Sequence, residues 1–279
     1  MSDKVENSAP YQPWGEETRG WRIGVTASVS VLLLIASGTA ALLSVSSSSA
    51  LLAMPDPPTK PDKVQSLPGL ASPLLETHYA GFVTVNETAG NHLFYWFVES
   101  ARVVQRGEAA ADVPLLIWLN GGPGASSLTG LLAEGVGPYT LQADGMTLLP
   151  NPFSWHRMAH VLIWDQPVGA GFAYTERADG FVSSMPQMAT QLLAGLRAFF
   201  ALHPQYASSP LFVTGESFAG KYIPAFCAHI HRENAKRIHP PIHLVGAAIG
   251  NGVLKPWLQY AALPELALAL GYATERSAT

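Results

Sequence analysis

The sequence predicts an α/β fold in which an N-terminal antiparallel hairpin leads into a mostly parallel sheet. Strand-like and helix-like segments alternate along most of the chain, which is typical of parallel sheets. Two strand-like segments, Leu115–Leu119 and Val161–Trp164, are continuously apolar, as expected where both faces of a sheet are covered. A long uncharged segment near the N-terminus adds one transmembrane or signal helix before the sheet.

The N-terminal region divides into a predicted tail, residues 1–22, and a predicted transmembrane or signal-anchor helix, residues 23–45. No residue from Ile23 to Pro55 is charged, and crossing a bilayer requires about 20 apolar residues. Arg19 and Arg22 precede this segment, so we expect a cytosolic N-terminus and a lumenal or extracellular remainder. A cleaved signal peptide is the alternative, but the long, partly acidic tail favours an uncleaved anchor.

A Ser/Pro-rich linker is predicted over residues 46–74, before a domain at 75–279. Ser46–Ser49 is a serine run, and several prolines break any regular element. These are Pro55, Pro57, Pro58, Pro61, Pro68 and Pro73. The folded region is therefore expected to begin near Leu75.

The remaining chain supplies the elements of the predicted sheet. The short polar stretch between the first two strands predicts the antiparallel hairpin. Each predicted helix lies between strands, as a parallel sheet requires. The predicted strands are His78–Val85, His92–Val98, Pro114–Asn120, His160–Asp165, Leu211–Thr214 and His243–Ile249, and the predicted helices are Met185–Leu202 and Phe218–Arg232.

Composition excludes several classes of function. The charged fraction is 13 % and the net charge is −4, which gives no electrostatic basis for binding nucleic acid. The single cysteine, Cys227, forms no internal disulfide and no cysteine cluster that holds zinc. We therefore expect no metal, no cofactor and no nucleic-acid partner.

The segment Gly215-Glu216-Ser217-Phe218-Ala219 has the pattern of a nucleophile elbow. An apolar strand precedes it and a helical pattern follows, so a sharp turn would present the Ser217 hydroxyl above the sheet. The N-terminus of the following helix offers a backbone N–H and a favourable dipole to a developing oxyanion. The alternative is an ordinary strand-to-helix turn with a capping serine.

A glycine-rich loop follows the buried strand at residues 114–120. Its sequence, from Trp118 to Ser127, is Trp-Leu-Asn-Gly-Gly-Pro-Gly-Ala-Ser-Ser. Such a loop turns backbone N–H groups toward an anion, and the absence of a Gly-Lys-Ser/Thr sequence excludes a phosphate-binding P-loop. In serine hydrolases a loop at this position supplies the second oxyanion donor.

Together these segments resemble the serine carboxypeptidases of the α/β-hydrolase superfamily, of the carboxypeptidase Y type. The similarity covers about residues 75–260. The matching stretches are His78–Val83, Leu93–Ser100, Trp118–Ser127, Asn151–Trp155, Asp165–Phe172, Gly215–Gly220 and Ile249–Gly252. The resemblance implies an α/β-hydrolase-type sheet.

The resemblance also implies roles for individual residues. Ser217 matches the nucleophile, and the backbone N–H groups of Gly122 and Phe218 match the oxyanion hole. A further group matches the residues that bind the free C-terminal carboxylate of a peptide: Asn120, Gly121, Glu134 and Glu216. Two acidic groups repel a carboxylate unless one is protonated, and crowded carboxyls raise each other's pKa. We therefore expect an acidic optimum, as in a vacuole or lysosome.

The sequence departs from the family in its last third. The family order is Ser, Asp, His, yet no aspartate follows Ser217, and the histidines after it lack the family's catalytic context. We interpret the domain as C-terminally incomplete, a truncated version of an active peptidase that lacks the triad Asp and His. The alternative is a genuinely short, inactive, membrane-anchored homologue that binds peptides. Ala125 stands where the family usually has a bridged cysteine.

Two enzymatic functions and one non-enzymatic function remain in competition. The first is release of C-terminal residues from peptides and proteins, and the second is acyl transfer on the same scaffold. Retention of Glu134 and Glu216 with Asn120 favours the peptidase. The third is peptide binding without catalysis. A sequon at Asn86, in the predicted hairpin loop, indicates a glycoprotein of the secretory pathway, and residues 23–45 are the predicted membrane contact.

Overall fold

The computed structural model describes residues 63–274 of the chain. The predicted tail, the predicted membrane segment at 23–45 and most of the predicted linker lie outside these residues. Between residues 63 and 274, no helix combines the length and apolar character needed to cross a bilayer.

In the part of the chain that the structure describes, nine strands form one large sheet and one small hairpin. In chain order they are β1 (His78–Asn86), β2 (Asn91–Val98), β3 (Leu115–Leu119), β4 (Tyr139–Leu141), β5 (Leu148–Pro150), β6 (His160–Asp165), β7 (Tyr174–Thr175), β8 (Leu211–Glu216) and β9 (Leu244–Gly250). The large sheet has the order β1-β2-β6-β3-β8-β9, with β7 beside β2, and β4 pairs only with β5.

The large sheet is mixed, because its two halves run differently. The four strands β6, β3, β8 and β9 are parallel, whereas β1, β2 and β7 pair antiparallel. This arrangement confirms the predicted α/β class and the predicted hairpin. The sheet is less uniformly parallel than predicted because β2 also pairs antiparallel with β6. The sequence pattern missed β4, β5 and β7, which have only two or three residues each.

The helices lie between or after the strands. In chain order they are α1 (Ala101–Arg106), α2 (Leu128–Leu132), α3 (Met185–Leu202), α4 (Ala219–Lys236), α5 (Pro256–Ala261) and α6 (Leu263–Ala269). The side chain of Ser184 caps α3 by accepting from the Gln187 N–H. Helix α4 continues past its predicted end at Arg232, and Asn234 near its end exchanges two hydrogen bonds with the Ile242 backbone, 2.8 and 3.0 Å long.

Hydrophobic side chains pack on both faces of the sheet. On one face, alternate strand residues pack against α3 and α4, and Ile117, Val213, Leu192 and Phe226 are fully buried there. On the other face, a smaller cluster surrounds Trp118. Successive strand residues point to opposite faces, so the continuously apolar β3 and β6 fill both clusters. The predicted burial of these strands is confirmed.

Backbone contacts reach upstream of Leu75, into the segment predicted as linker. The Val64 N–H donates to the His78 carbonyl at 3.0 Å, and the Leu148 N–H donates to the Gly69 carbonyl at 2.9 Å. Extended, proline-rich backbone has free N–H and C=O groups that can pair with a neighbouring strand.

Glu76 joins this N-terminal region to two later parts of the chain. Its carboxylate accepts from Tyr139 Oη at 2.9 Å and lies 3.2 Å from His156 Nε2 and 3.7 Å from His78 Nε2. Burial alone would raise the pKa of Glu76, but the neighbouring His156 and His78 rings and the Tyr139 hydroxyl outweigh burial and hold that pKa far below its usual range. Glu76 therefore remains ionised, and through His156 it contacts the short helical turn that also contains Trp155.

Candidate active site

Ser217 occupies a sharp turn between β8 and α4. Its φ of 57° lies in the left-handed region, which costs a residue with a side chain about 1–3 kcal/mol. Backbone hydrogen bonds hold this strained conformation: the Ser217 N–H donates to the Gly250 carbonyl at 2.9 Å, and the Val253 N–H donates to the Ser217 carbonyl at 2.8 Å. The turn has the strand–turn–helix context that the sequence predicts for a nucleophile elbow.

The glycine-rich loop lies directly against this turn. A Cβ on Gly121 would come within 2.5 Å of the Phe218 nitrogen and 2.8 Å of Ser217 Cβ, so only glycine permits the contact. Gly122 has a φ of 106°, a conformation that favours glycine. Within residues 63–274, the N–H groups of Gly122 and Phe218 donate to no protein acceptor. The structure thus brings the two predicted oxyanion donors near the serine and leaves both unpaired.

Asn120 connects the glycine-rich loop to two glutamates. Its Oδ1 accepts from Trp118 Nε1 at 2.7 Å and from the Gly130 N–H at 3.2 Å. An indole N–H and a backbone N–H can only donate, so this pattern fixes Oδ1 on their side. The Nδ2 group must then face the carboxylates, and it donates to Glu134 at 3.0 and 3.2 Å and to Glu216 at 3.4 Å.

Glu216 and Glu134 thus share one amide donor beside the elbow. Burial raises the pKa of Glu216, and the charge of Glu134 adds to the increase. This direction agrees with the expectation that crowding favours a protonated carboxyl. Once protonated, Glu216 can donate a hydrogen bond to an anion. We refer to Asn120, Gly121, Glu134 and Glu216, which the resemblance predicts to bind a substrate carboxylate, as the carboxylate-binding group.

An apolar pocket adjoins the carboxylate-binding group. Its volume is about 340 Å³, and Trp118, Trp155, Thr214 and Ile249 lie in its wall together with Glu216. The two indole rings meet edge to face with centroids 5.3 Å apart. The pocket therefore places an apolar surface next to an ionisable group.

Asp165 organises the loops around the site, a role that the sequence analysis did not assign. This fully buried carboxylate accepts from Ser126 Oγ at 2.7 Å, from the Ser127 N–H at 2.9 Å and from the Phe172 N–H at 2.8 Å. A Cβ on Gly171 would overlap the Asp165 carboxylate, so glycine is required there. The sequence feature that could have indicated this role is a charged residue directly after the apolar run Val161–Trp164 of β6.

Other residues singled out from the sequence lie apart from this group. Asn86 is exposed at the end of β1, and its Oδ1 accepts from the Ala89 N–H at 3.2 Å. Cys227 lies half-buried on α4, and burial raises the pKa of its thiol to about 11. Within residues 63–274, the Ser217 hydroxyl makes no hydrogen bond to a histidine or a carboxylate.

Comparison with known proteins identifies relatives across this domain. The family model described as serine carboxypeptidase matches residues 68–278. The "Probable serine carboxypeptidase CPVL" of Dictyostelium discoideum is 41 % identical over 195 residues, which are 70 % of this chain and 37 % of that protein. The "Pheromone-processing carboxypeptidase KEX1" of Leptosphaeria maculans is 40 % identical over 197 residues, which are 71 % of this chain and 29 % of that protein.

A solved structure shows the same fold. The crystal structure of KEX1(delta)p, a prohormone-processing carboxypeptidase from Saccharomyces cerevisiae, superposes with a TM-score of 0.65 at 28 % identity. It covers 72 % of this chain and 44 % of the crystallised one. The chain therefore spans less than half the length of these relatives. The family model, the identities and the shared fold agree: this chain belongs to the serine carboxypeptidase family.

Proposed function

We propose that this chain carries the nucleophile and the substrate-carboxylate site of a serine-type carboxypeptidase, which releases C-terminal residues from peptides and proteins. One observation carries the proposal: the hydrogen-bonded carboxylate-binding group lies beside a strained serine turn and two unpaired N–H groups. The substrate class is a peptide or protein with a free C-terminus. A general acyl hydrolase has no need for a group that holds a second carboxylate next to its nucleophile.

The proposed reaction proceeds through an acyl-enzyme on Ser217. The Ser217 oxygen attacks the last peptide carbonyl, and the carbonyl oxygen becomes an anion that the N–H groups of Gly122 and Phe218 stabilise. Collapse of this intermediate breaks the C–N bond, a proton goes to the leaving amine, and the acyl group stays on Ser217. Water then hydrolyses the ester. A general base must accept the serine proton, as in other serine hydrolases.

Acidic pH is part of this proposal. The Asn120 amide and a protonated Glu216 would supply hydrogen-bond donors to the substrate carboxylate, while an ionised Glu216 would repel it. The raised pKa of Glu216 extends the protonated form to higher pH than an isolated glutamate allows. Substrate affinity should therefore be greatest in acid and fall as the pH rises through that pKa.

Labelling with a fluorophosphonate probe tests the role of Ser217. A Ser217 activated by a general base forms a covalent adduct with the probe, and this adduct is lost in Ser217→Ala and retained in the control Ser183→Ala, which changes an exposed serine before α3. Equal labelling of the two variants would refute a nucleophilic Ser217.

Peptide binding without hydrolysis is a second candidate function, because the described residues bring no histidine into hydrogen-bond contact with Ser217. Calorimetric titration with a peptide and its C-terminally amidated form, at pH 5, measures recognition independently of turnover. Binding of the free acid alone, with no fluorophosphonate adduct on Ser217, would favour the second candidate. Adduct formation favours hydrolysis, and transfer of an acyl group from an ester to a small alcohol would indicate the acyltransferase alternative.

We propose further that residues 23–45 anchor the protein in a membrane of the secretory pathway, with this domain in the lumen or outside. The position of Arg19 and Arg22 and the exposed sequon at Asn86 support this orientation. Expression in eukaryotic cells tests it. A glycosidase-sensitive mass shift that disappears in Asn86→Gln is expected, together with retention in the membrane fraction after alkaline extraction. An unglycosylated chain in the soluble fraction would contradict both parts.

A further inference from the structure

A hollow on the surface lies away from the serine turn, between the C-terminal part of α3 and the segment that leads into β9. Its volume is about 300 Å³, near the lower end of the range for small-molecule sites. Its apolar wall consists of Phe200, Ala201, Ala207, Pro240, Pro241 and Ile242. An apolar lining of this kind favours a ligand with a hydrocarbon part.

Arg197 of α3 adds an unpaired cation to this hollow. Its Nε atom is buried and has no hydrogen-bond partner among the described residues. Arginine has five N–H donors, and a buried donor without an acceptor costs about 1–3 kcal/mol. Native proteins leave few such groups unsatisfied, so an acceptor from outside the described residues is expected here.

The surroundings of Arg197 carry an excess of positive charge. Burial lowers the pKa of His229 on α4; the charge of Glu233 opposes this effect, while the cations Arg232, Lys236 and Arg197 add to it. The one acidic neighbour, Glu233, is occupied by Lys236, whose Nζ donates to it at 2.6 Å. Among the described residues, no carboxylate lies within 4.0 Å of Arg197 to neutralise it. His239, in the wall of the hollow, adds a ring nitrogen that can form a hydrogen bond.

We propose that this hollow binds an amphiphilic carboxylate, with the carboxylate on the Arg197 guanidinium and the hydrocarbon chain against the apolar wall around Ile242. A planar carboxylate matches the fork that the N–H donors of an arginine form. Neither a hydrocarbon alone nor a small anion alone uses both features. The site is independent of the proposed peptidase activity, because it shares no residue with the carboxylate-binding group.

Calorimetric titration of the full chain tests this proposal, with sodium octanoate as the probe. We expect saturable binding of one octanoate, and much weaker binding of 1-octanol, which lacks the charge, and of acetate, which lacks the chain. Arg197→Met should raise the Kd for octanoate at least about tenfold, because it removes a charged hydrogen bond. The substitution breaks no hydrogen bond in the described structure, so the variant should fold.

Two further variants separate this hollow from other binding modes. Ala201→Trp should abolish octanoate binding by filling the hollow while the Arg197 charge remains. Arg106→Met, which removes an exposed arginine on α1, should leave the Kd unchanged. Equal octanoate affinity in Arg197→Met and the parent would overturn the proposal. If binding is lost in Asn120→Leu and retained in Arg197→Met, the octanoate binds at the carboxylate-binding group, and this result would also overturn the proposal.

Discussion

The Asn120 side chain uses all of its hydrogen-bonding capacity in one orientation. Its oxygen accepts from two obligate donors, and its nitrogen donates to Glu134 and Glu216. Two carboxylates can share this small volume because the amide between them presents only N–H groups. A single amide thus positions the acidic pair that we propose to recognise the substrate.

Asn120→Asp tests this positioning at the residue scale. The substitution keeps an acceptor toward Trp118 but turns a carboxylate oxygen toward Glu134 and Glu216. We expect a loss of about 1–3 kcal/mol in the free energy of unfolding at pH 7 and a smaller loss at pH 4, where carboxyls begin to protonate. Urea denaturation at the two pH values measures both. The control Asn120→Leu introduces no charge. An Asn120→Asp variant that loses the same free energy of unfolding at both pH values would show that repulsion from Glu134 and Glu216 is not the cause.

Glu216→Gln tests the raised pKa of Glu216. A carboxyl whose pKa is raised on folding contributes stability below its unfolded pKa of about 4.5 and loses that contribution as the pH rises through the folded pKa. Glutamine is neutral throughout. The variant should therefore gain a few tenths to about 1 kcal/mol relative to the parent between pH 4 and pH 7.

The pH dependence of urea unfolding midpoints measures this difference. Glu87→Gln, at an exposed position in the β1–β2 turn, is the matched control. Glu76 has the opposite pH dependence, because its lowered pKa contributes stability that is lost as the pH falls. Parent and variant both contain Glu76, so its contribution cancels in the difference between their free energies of unfolding. A Glu216→Gln variant that loses stability toward neutral pH would show that the carboxylate is stabilised rather than strained.

At the scale of elements, two strand-to-helix connections meet at the carboxyl ends of the parallel strands. The loop after β3 carries the glycines, and the turn after β8 carries Ser217, and β3 and β8 are neighbours in the sheet. Adjacent parallel strands end at the same edge, so their loops come together. Asp165 at the end of β6, the other neighbour of β3, fixes the far side of the glycine-rich loop.

Gly121→Ala tests the contact between these two connections. The added Cβ would press on the Phe218 nitrogen at 2.5 Å, and backbone atoms on both sides must move. We expect a destabilisation of about 1–3 kcal/mol and weaker fluorophosphonate labelling of Ser217. The control is Gly250→Ala, where the nearest atoms are at 3.8 Å. Thermal unfolding that is equal for the two variants would mean that the loops do not meet as described.

At the scale of the whole molecule, the described part of the sheet ends on one side at the strand β9. Within residues 63–274, β9 pairs only with β8, and Val245 in β9 is 51 % exposed. The helices that follow β9 also carry exposed apolar side chains, among them Trp257, Tyr260 and Leu263. An unpaired edge with apolar neighbours is a site for strand pairing between molecules.

Val245→Lys should reduce self-association of the full chain several-fold, because a charged side chain on an edge strand opposes pairing with another strand. Light scattering and size-exclusion chromatography over a concentration series measure the effect. The control Leu75→Lys removes an apolar residue that is 74 % exposed upstream of β1. Equal reductions in both variants would attribute self-association to general hydrophobicity rather than to the edge.

The features that depend only on neighbouring residues follow from the amino-acid sequence alone. Apolar runs predicted the strands within one or two residues, and the strand–Gly-Glu-Ser–helix pattern predicted the turn at Ser217, because backbone conformation there is set locally. The resemblance named Asn120, Glu134 and Glu216 as a group. The short strands β4, β5 and β7 escaped prediction because two or three residues carry too little pattern.

Which of these groups form hydrogen bonds with one another depends on how the strands pack together. Asn120 and Glu216 are 96 residues apart, and Asp165 and Ser126 are 39 apart, so their hydrogen bonds exist only once β6, β3 and β8 lie side by side. Burial, which raises the pKa of Glu216 and leaves Arg197 Nε unpaired, is likewise a property of packing. Local patterns specify conformation, but the charge and hydrogen bonding of a buried group depend on every element around it.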